Sequence, residues 1–164
     1  VSDTLYRDIL LDHYKSKKHR FELVDPTSRE EGKNPLCGDT ITLYTKMEGD
    51  TIDQVSYDGH GCSISMASSS MLCEALEGRS VDEALERIQQ FKEMLLTDHD
   101  VELPDDIADL EAMAGVKQYP VRIKCALLVW NTAEQMLKEA REKEIGEIED
   151  QKPPAGNRAS ESEE

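Results

Sequence analysis

The sequence predicts an α+β fold in which one three-stranded antiparallel sheet packs against about five helices. Three observations point there. Alternating apolar residues flank a Glu48-Gly49-Asp50 turn, apolar stripes at helical spacing recur in several capped segments, and 164 residues suit a single domain. A chain of this length hides roughly 68–70 % of the surface its unfolded form exposes, so a real core is within reach even at 38 % hydrophobic residues.

Helix signals open the chain, with Ser2 or Asp3 as cap and Leu5, Tyr6, Ile9, Leu10 and His13 at helical spacing. Four bases between Lys15 and Arg20 then complement the negative end of the helix dipole. They read as a solvated helix end or as a docking patch for an acidic partner. Pro26 to Pro35 is polar and rich in turn formers, and it reads as a loop leading to Cys37-Gly38-Asp39. Thr40 to Met47 alternates, with Ile41, Leu43, Thr45 and Met47 on one face. Ile52 to Asp58 is the returning strand, with Val55 and Tyr57 inward. Alternation resumes from Gly59 to Ala67 and predicts a turn and the third strand.

Ser68, Ser69 and Ser70 are cap candidates for a short helix through Leu76, which Gly78 is suited to end. Ser80 to Glu83 is a capping-box pattern, and Val81, Ala84, Leu85, Ile88 and Leu95 continue as a helical stripe. Pro104 starts a further short helix, with a stop at Gly115. After Pro120, the stripe from Ile123 through Trp130 to Ala140 defines a long amphipathic helix with Cys125 in its first turn. The domain is expected to span residues 1–145. Residues 146–164 carry Pro153-Pro154 and repeated Ser and Glu but almost no large apolar residue, so they bury too little surface to offset ordering entropy and predict a flexible acidic tail.

Thirty-five acids against 19 bases give a formal net charge of -16. The excess is concentrated: residues 93–111 hold eight acids and no base, and residues 141–164 hold eight acids and four bases. By contrast, residues 112–140 carry two acids and four bases. A polyanionic surface repels phosphate backbones, which argues against a nucleic-acid partner. The longest strongly apolar run, Cys125 to Trp130, is six residues, too short for a membrane span, and the opening Val1-Ser2-Asp3-Thr4 does not resemble a secretory signal. A cytoplasmic location is expected.

Four cysteines, Cys37, Cys62, Cys73 and Cys125, without a secretory signal suit metal ligation, catalysis or burial better than disulfides. Their spacings match no zinc-finger pair. Cys37 lies in a loop, Cys62 in a Gly-rich turn and Cys125 at a helix start, from which three thiols can converge. Three unrelated cysteines remain the alternative. Gly38 and Gly61 permit close backbone approach, and a helix N-terminus favours thiolate at Cys125. Cys73, between Leu72 and Leu76 in a helical stripe, reads as a packed small hydrophobe. His60 reads as a loop histidine, and His13, His19 and His99 show no partner pattern.

Three segments, Asn34 to Asp39, Gly59 to Ser70 and Tyr119 to Cys125, resemble the signature segments of the IscU/SufU/NifU-N family of iron–sulfur cluster assembly proteins. The likeness runs over roughly residues 3–142, with the segments in the family's order. It implies a SufU/IscU-like fold and a metal site formed by Cys37, Asp39, Cys62 and Cys125. Three thiolates and a carboxylate suit tetrahedral zinc, and the same set can hold a transient iron–sulfur cluster. Scaffold-type members carry histidine immediately before the third cysteine, where this chain has Lys124, and their chaperone-recognition stretch is only partly echoed by Tyr119 to Ile123. Lys124 either neutralises the site or is an ordinary exposed lysine. With an acidic insertion at about residues 95–115, these departures resemble the SufU-like branch.

That branch implies zinc-dependent sulfur transfer. A pyridoxal-phosphate cysteine desulfurase (SufS-like) would pass persulfide sulfur to Cys37, Arg122 would assist, and iron–sulfur assembly or acceptor proteins would lie downstream. Asp39 is the hard oxygen donor among thiolates, which suits a labile ligand. The chain would then be a sulfurtransferase-like partner of the desulfurase rather than a free-standing enzyme. The competing readings are a scaffold on which the cluster is assembled at the same four ligands and then transferred to apo-proteins, and a purely structural zinc site.

Overall fold

The computed structural model describes residues 3–150, with side chains over residues 4–146. The elements in order are α1 (Asp3–Lys15), β1 (Ser28–Asn34), β2 (Asp39–Glu48), β3 (Thr51–His60), α2 (Ser63–Leu76), α3 (Val81–Leu96), a 3-10 segment (Asp105–Gln118) and α4 (Pro120–Asp150). The sheet is an antiparallel meander in the order β1-β2-β3. The expected α+β class, with three strands and five helical segments, is what the described residues form.

The identity of one strand differs from expectation. Residues 59–67 do not supply it: β3 ends at His60, and α2 begins at Ser63 with Cys62 as its N-cap. The third strand is β1, inside the stretch that reads as a polar loop. Its sequence, Ser-Arg-Glu-Glu-Gly-Lys-Asn, holds no large apolar residue. Backbone pairing to β2 over the full length, from Ser28 opposite Thr45 to Asn34 opposite Asp39, forms the strand. It packs on α4 through an absent side chain: a Cβ on Gly32 would lie 2.1 Å from Thr132 Oγ1.

The core lies between the sheet and the helices. Ile41 and Leu43 of β2 and Val55 and Tyr57 of β3 face it, as their alternation predicts, and an irregularity in the β2–β3 pairing at Lys46 and Met47 brings Ile52 to the same face. Full burial of such side chains stabilises by roughly 1.5–3 kcal/mol apiece. Phe91 of α3 stacks on Trp130 of α4, with ring centroids 4.1 Å apart and planes 8° from parallel. Trp130 Nε1 donates to Ser68 Oγ (2.8 Å), which donates to Ala126 O (2.6 Å). Ser68, Ser69 and Ser70 are therefore not caps. They lie buried inside α2, where Ser69 Oγ donates to Ser65 O and Ser70 Oγ contacts His13 Nδ1 at 2.9 Å.

His13 and His19 have partners that linear spacing does not reveal. His19 Nε2 lies 3.3 Å from Glu77 Oε1, and its carbonyl accepts from Tyr57 N–H at 2.9 Å. Arg20 donates to Gly59 O, so the basic run after α1 is fastened to β3 at its end rather than wholly solvated. Ser80 caps α3 as expected, accepting from Glu83 N–H. Cys73 is fully buried in the core, and burial, with Glu77 and Glu74 adding to it, pushes its thiol well above the ordinary range.

Two boundaries move. The 3-10 segment passes Gly115 and ends at Gln118. Helix α4 starts at Pro120, which puts Cys125 in its second turn rather than its first, and it continues to Asp150. The remainder of the expected tail, residues 151–164, lies outside the described residues. The acidic stretch also sends Leu103, Ile107, Leu110, Met113 and Val116 into the core.

Asp106 ties this stretch to the body, pairing with Arg79 at 2.8 Å and with the buried Arg87 at 2.9 Å. Burial raises its carboxyl, but Arg87 and Arg79 outweigh that and hold it below the usual 3.8. A depressed carboxyl stabilises the fold above its unfolded value, and the contribution is lost as pH falls through the folded value. Because this carboxylate is 46 % exposed, solvent screening limits the effect. Asp106→Asn is expected to lower Tm at pH 7 by roughly 2–4 °C, the response to about 1 kcal/mol at this length. The deficit should shrink below pH 3.8, and thermal melts across pH 2–7 check this.

Candidate metal centre

The β1–β2 connection is a four-residue loop, Pro35 to Gly38, between the paired Asn34 and Asp39. Cys37 N–H donates to Asn34 O (3.2 Å), Leu36 N–H to Asn34 Oδ1 (3.3 Å), and Gly38 turns the chain at φ +71°. A β-carbon there would be strained. This geometry leaves Cys37 partly exposed at the loop tip, while Asp39, the first residue of β2, is 1 % exposed.

Asp39 is held from the other side by α2. Its Oδ1 accepts the Cys62 N–H at 2.9 Å, and its Oδ2 lies 4.0 Å from Cys62 Sγ. A Cβ on Gly61 would sit 2.6 Å from Asp39 Oδ1, so glycine makes this approach possible. Cys62 Sγ in turn accepts the Ser65 N–H at 3.4 Å. The cysteine at a helix N-terminus is thus Cys62, not Cys125 as the spacing suggests.

Cys125 projects from the second turn of α4 and is fully buried. Its Sγ lies 3.2 Å from Cys37 Sγ, and Asn34 Nδ2 donates to it at 3.9 Å. Burial first, then the contacts with Cys37 and Cys62, push its thiol far above the ordinary range. Donor atoms of Cys37, Asp39 and Cys125 all lie within 4.8 Å of one another. Cys62 stands outside that group but touches it through Asp39. Three thiols and a carboxylate so close together repel one another once ionised, and a cation relieves the repulsion. The soft sulfur donors and single hard oxygen fit zinc or thiophilic iron, whereas magnesium and calcium call for all-oxygen shells.

Arg122 and Lys124 flank the centre from α4, and both side chains are exposed. Arg122 lies one turn before Cys125 and lines a cavity of about 590 Å³ beside the site. His60 is exposed at the end of β3 rather than in a loop. Sequence reasoning missed Asn34, which anchors the loop and reaches Cys125. Its only sequence signal is its place at the head of the Asn34 to Asp39 segment.

A family model described as the NifU-like N-terminal domain matches residues 5–126, a span that contains all four candidate donors. The chain is 40 % identical over 134 residues to the zinc-dependent sulfurtransferase SufU of Bacillus subtilis, covering 81 % of this chain and 89 % of that one. It is 38 % identical over 138 residues to the iron-sulfur cluster assembly scaffold protein IscU of Thermotoga maritima, covering 84 % and 96 %. A crystal structure from Fervidobacterium islandicum, described as a putative iron-sulfur cluster assembly scaffold protein for the SUF system, superposes with a TM-score of 0.74 at 37 % identity, covering 84 % and 99 %.

Gly61→Ala is expected to displace the Asp39 carboxylate from the donor group and to change metal affinity by at least about tenfold, toward tighter retention because the donor lost is the single hard oxygen among thiolates. Chelator competition with cobalt(II) as the spectroscopic probe measures it. An unchanged affinity would remove Asp39 from the centre.

Proposed function

Because the chain belongs to the NifU-like N-terminal domain family of iron–sulfur cluster assembly proteins, we propose that it is a zinc-dependent sulfur acceptor for a pyridoxal-phosphate cysteine desulfurase, with Cys37 as the receiving thiol. One observation carries the choice of residue. Among the three grouped donors, Cys37 alone is partly exposed, at the tip of a loop, while Asp39 and Cys125 are buried; Cys62 is partly exposed as well, but it caps α2 outside the group. A partner's cysteine can reach Cys37 without the fold opening.

Cys37, Asp39, Cys62 and Cys125 would hold the zinc. When bound, it keeps coordinating thiols deprotonated at neutral pH. The Cys37 thiolate attacks the terminal sulfur of the desulfurase's cysteine persulfide. A new S–S bond forms on Cys37 as the old one breaks, and the desulfurase cysteine leaves as thiolate. The sulfane sulfur keeps its oxidation state, so the exchange needs no external oxidant. Arg122, exposed one turn from Cys125, supplies positive charge beside sulfur atoms that carry negative charge throughout. Asp39 is the hard donor in a thiolate set and gives the site its lability, while its bond to the Cys62 N–H keeps the carboxylate in place.

A scaffold role is the second reading, favoured by the similarity to proteins described as assembly scaffolds. There the same four residues would carry an iron–sulfur cluster and pass it to apo-proteins.

Adding the protein to its desulfurase with cysteine should raise alanine release strongly, and Cys37→Ala should abolish the increase while the fold persists, as circular dichroism would show. No stimulation by the unmodified chain would sink the acceptor reading. Anaerobic reconstitution to a stable visible chromophore that transfers to an apo-protein would favour the scaffold. Asp39→Ala should retain metal or cluster longer and slow sulfur transfer; if both stay unchanged, Asp39 has no role in lability.

A further inference from the structure

The cavity beside the thiols is built from four elements. Its wall includes Tyr6, Arg7 and Leu10 of α1, Ser63 and Ile64 at the start of α2, Val116 and Gln118 of the 3-10 segment, then Tyr119 and Arg122. None of the four candidate donors lines it, but Ser63 follows Cys62 in the chain and Arg122 lies one turn before Cys125. It is therefore next to the centre and separate from it.

Its arginines are unlike the others. Seven arginines are described, and five have partners. Arg20 binds Gly59 O, Arg29 lies over the Tyr44 ring, Arg79 and Arg87 hold Asp106, and Arg141 pairs with Asp50 and Asp82. Among the described residues, only the guanidiniums of Arg7 and Arg122 have neither an acid, a carbonyl nor a ring, and both line this one cavity. In a chain of net charge -16, carboxylates are abundant, yet among the described residues none neutralises these two. Tyrosine and arginine around an apolar floor is also the composition of energetically dominant interface residues.

We propose that this cavity seats an acidic segment of the sulfur-donating partner, with a carboxylate held between Arg7 and Arg122 and an adjacent apolar side chain resting on Leu10, Ile64 and Val116. The proposal rests on the acceptor reading above. Guanidinium forks match carboxylates, and charge complementarity of this kind fixes the register of docking. A polypeptide fits better than a small free anion because the apolar surface continues beyond the cavity. Tyr119 is 61 % exposed on its rim, Val121 is 59 % exposed, and Leu36, beside Cys37, is 72 % exposed. A segment anchored in the cavity would carry the partner's surface across these residues toward the Cys37 loop.

Arg7 gives a clean test, since it is exposed on α1 and has no part in the sulfur exchange. Desulfurase stimulation is measured against the concentration of this protein for the unmodified chain, Arg7→Glu, Arg7→Lys and, as a control away from the cavity, Arg29→Glu. Arg7→Glu should raise the half-saturating concentration by at least about tenfold, the size expected when a paired interface charge is reversed, with the maximal rate unchanged. Arg7→Lys should recover part of the affinity, and Arg29→Glu should behave like the unmodified chain. An unaltered half-saturating concentration for Arg7→Glu, or a fall in maximal rate alone, overturns the seat while leaving the acceptor reading intact. Absence of stimulation by the unmodified chain removes the partner and both readings together. Saturable citrate binding that Arg7→Glu abolishes, with an unchanged desulfurase response, would assign the cavity to a small carboxylate instead of a segment.

Discussion

A side chain at Gly32 would collide with Thr132 of α4, and this close contact holds the strand that leads to the candidate centre against that helix. The strand lies directly on Thr132 because residue 32 ends at its α-carbon. Two residues later Asn34 closes the pairing with Asp39, and the loop that follows delivers Cys37 to within 3.2 Å of Cys125. A second close approach, at Gly61, brings the start of α2 against Asp39. The absent β-carbon at Gly61 thus permits the close approach of Cys62 to Asp39. The rest of the fold stiffens this arrangement: Trp130 couples α4 to α3 by stacking and to α2 through the Ser68 hydroxyl.

The donors are not equivalent, and their differences come from the elements that bear them. Cys125 sits on a packed helix with no exposure, where burial and neighbouring donors oppose an unpaired thiolate. Cys62 has the amide hydrogen of Ser65 to accept. Asp39 is held by the Cys62 amide, so its carboxylate fastens β2 to α2 as well as contributing a donor. Cys37 is on the most accessible element, a four-residue loop turned by one glycine. This gradation, from buried helix to exposed loop tip, suits a site in which one ligand exchanges while the others hold.

Charge is partitioned along similar lines. The stretch rich in Asp and Glu alternates its acids with apolar residues that enter the core, and Asp106 crosses back to two arginines. It is an integral part of one side of the molecule rather than an appended loop. Some acids elsewhere are paired: Asp82 and Asp50 with Arg141, and Glu134 with Lys92 and Lys138. Among the described residues, the two guanidiniums without an acid, carbonyl or ring partner, Arg7 and Arg122, both line the cavity beside the thiols.

Much of this was legible in the residues. Alternation around Glu48-Gly49-Asp50 determined β2 and β3, the Ser80 box determined the start of α3, and the stripe after Pro120 determined α4. The three segments bearing Cys37, Cys62 and Cys125 identified the family. Strand β1 was hidden because its pairing uses backbone groups alone, while its side chains read as a polar loop. The serine triplet misled because hydroxyls that suit a helix cap serve equally well as buried donors when Trp130 and His13 come from other elements. Cys62 took the helix start assigned to Cys125 because local alternation cannot tell two residues of strand end from the first turn of a helix. Sequence by itself therefore determined the fold class, the family and which chemical groups are available. Tertiary structure alone decided which thiol meets which, how exposed each is, and which arginines go unpaired, because those depend on contacts between residues as much as 91 positions apart.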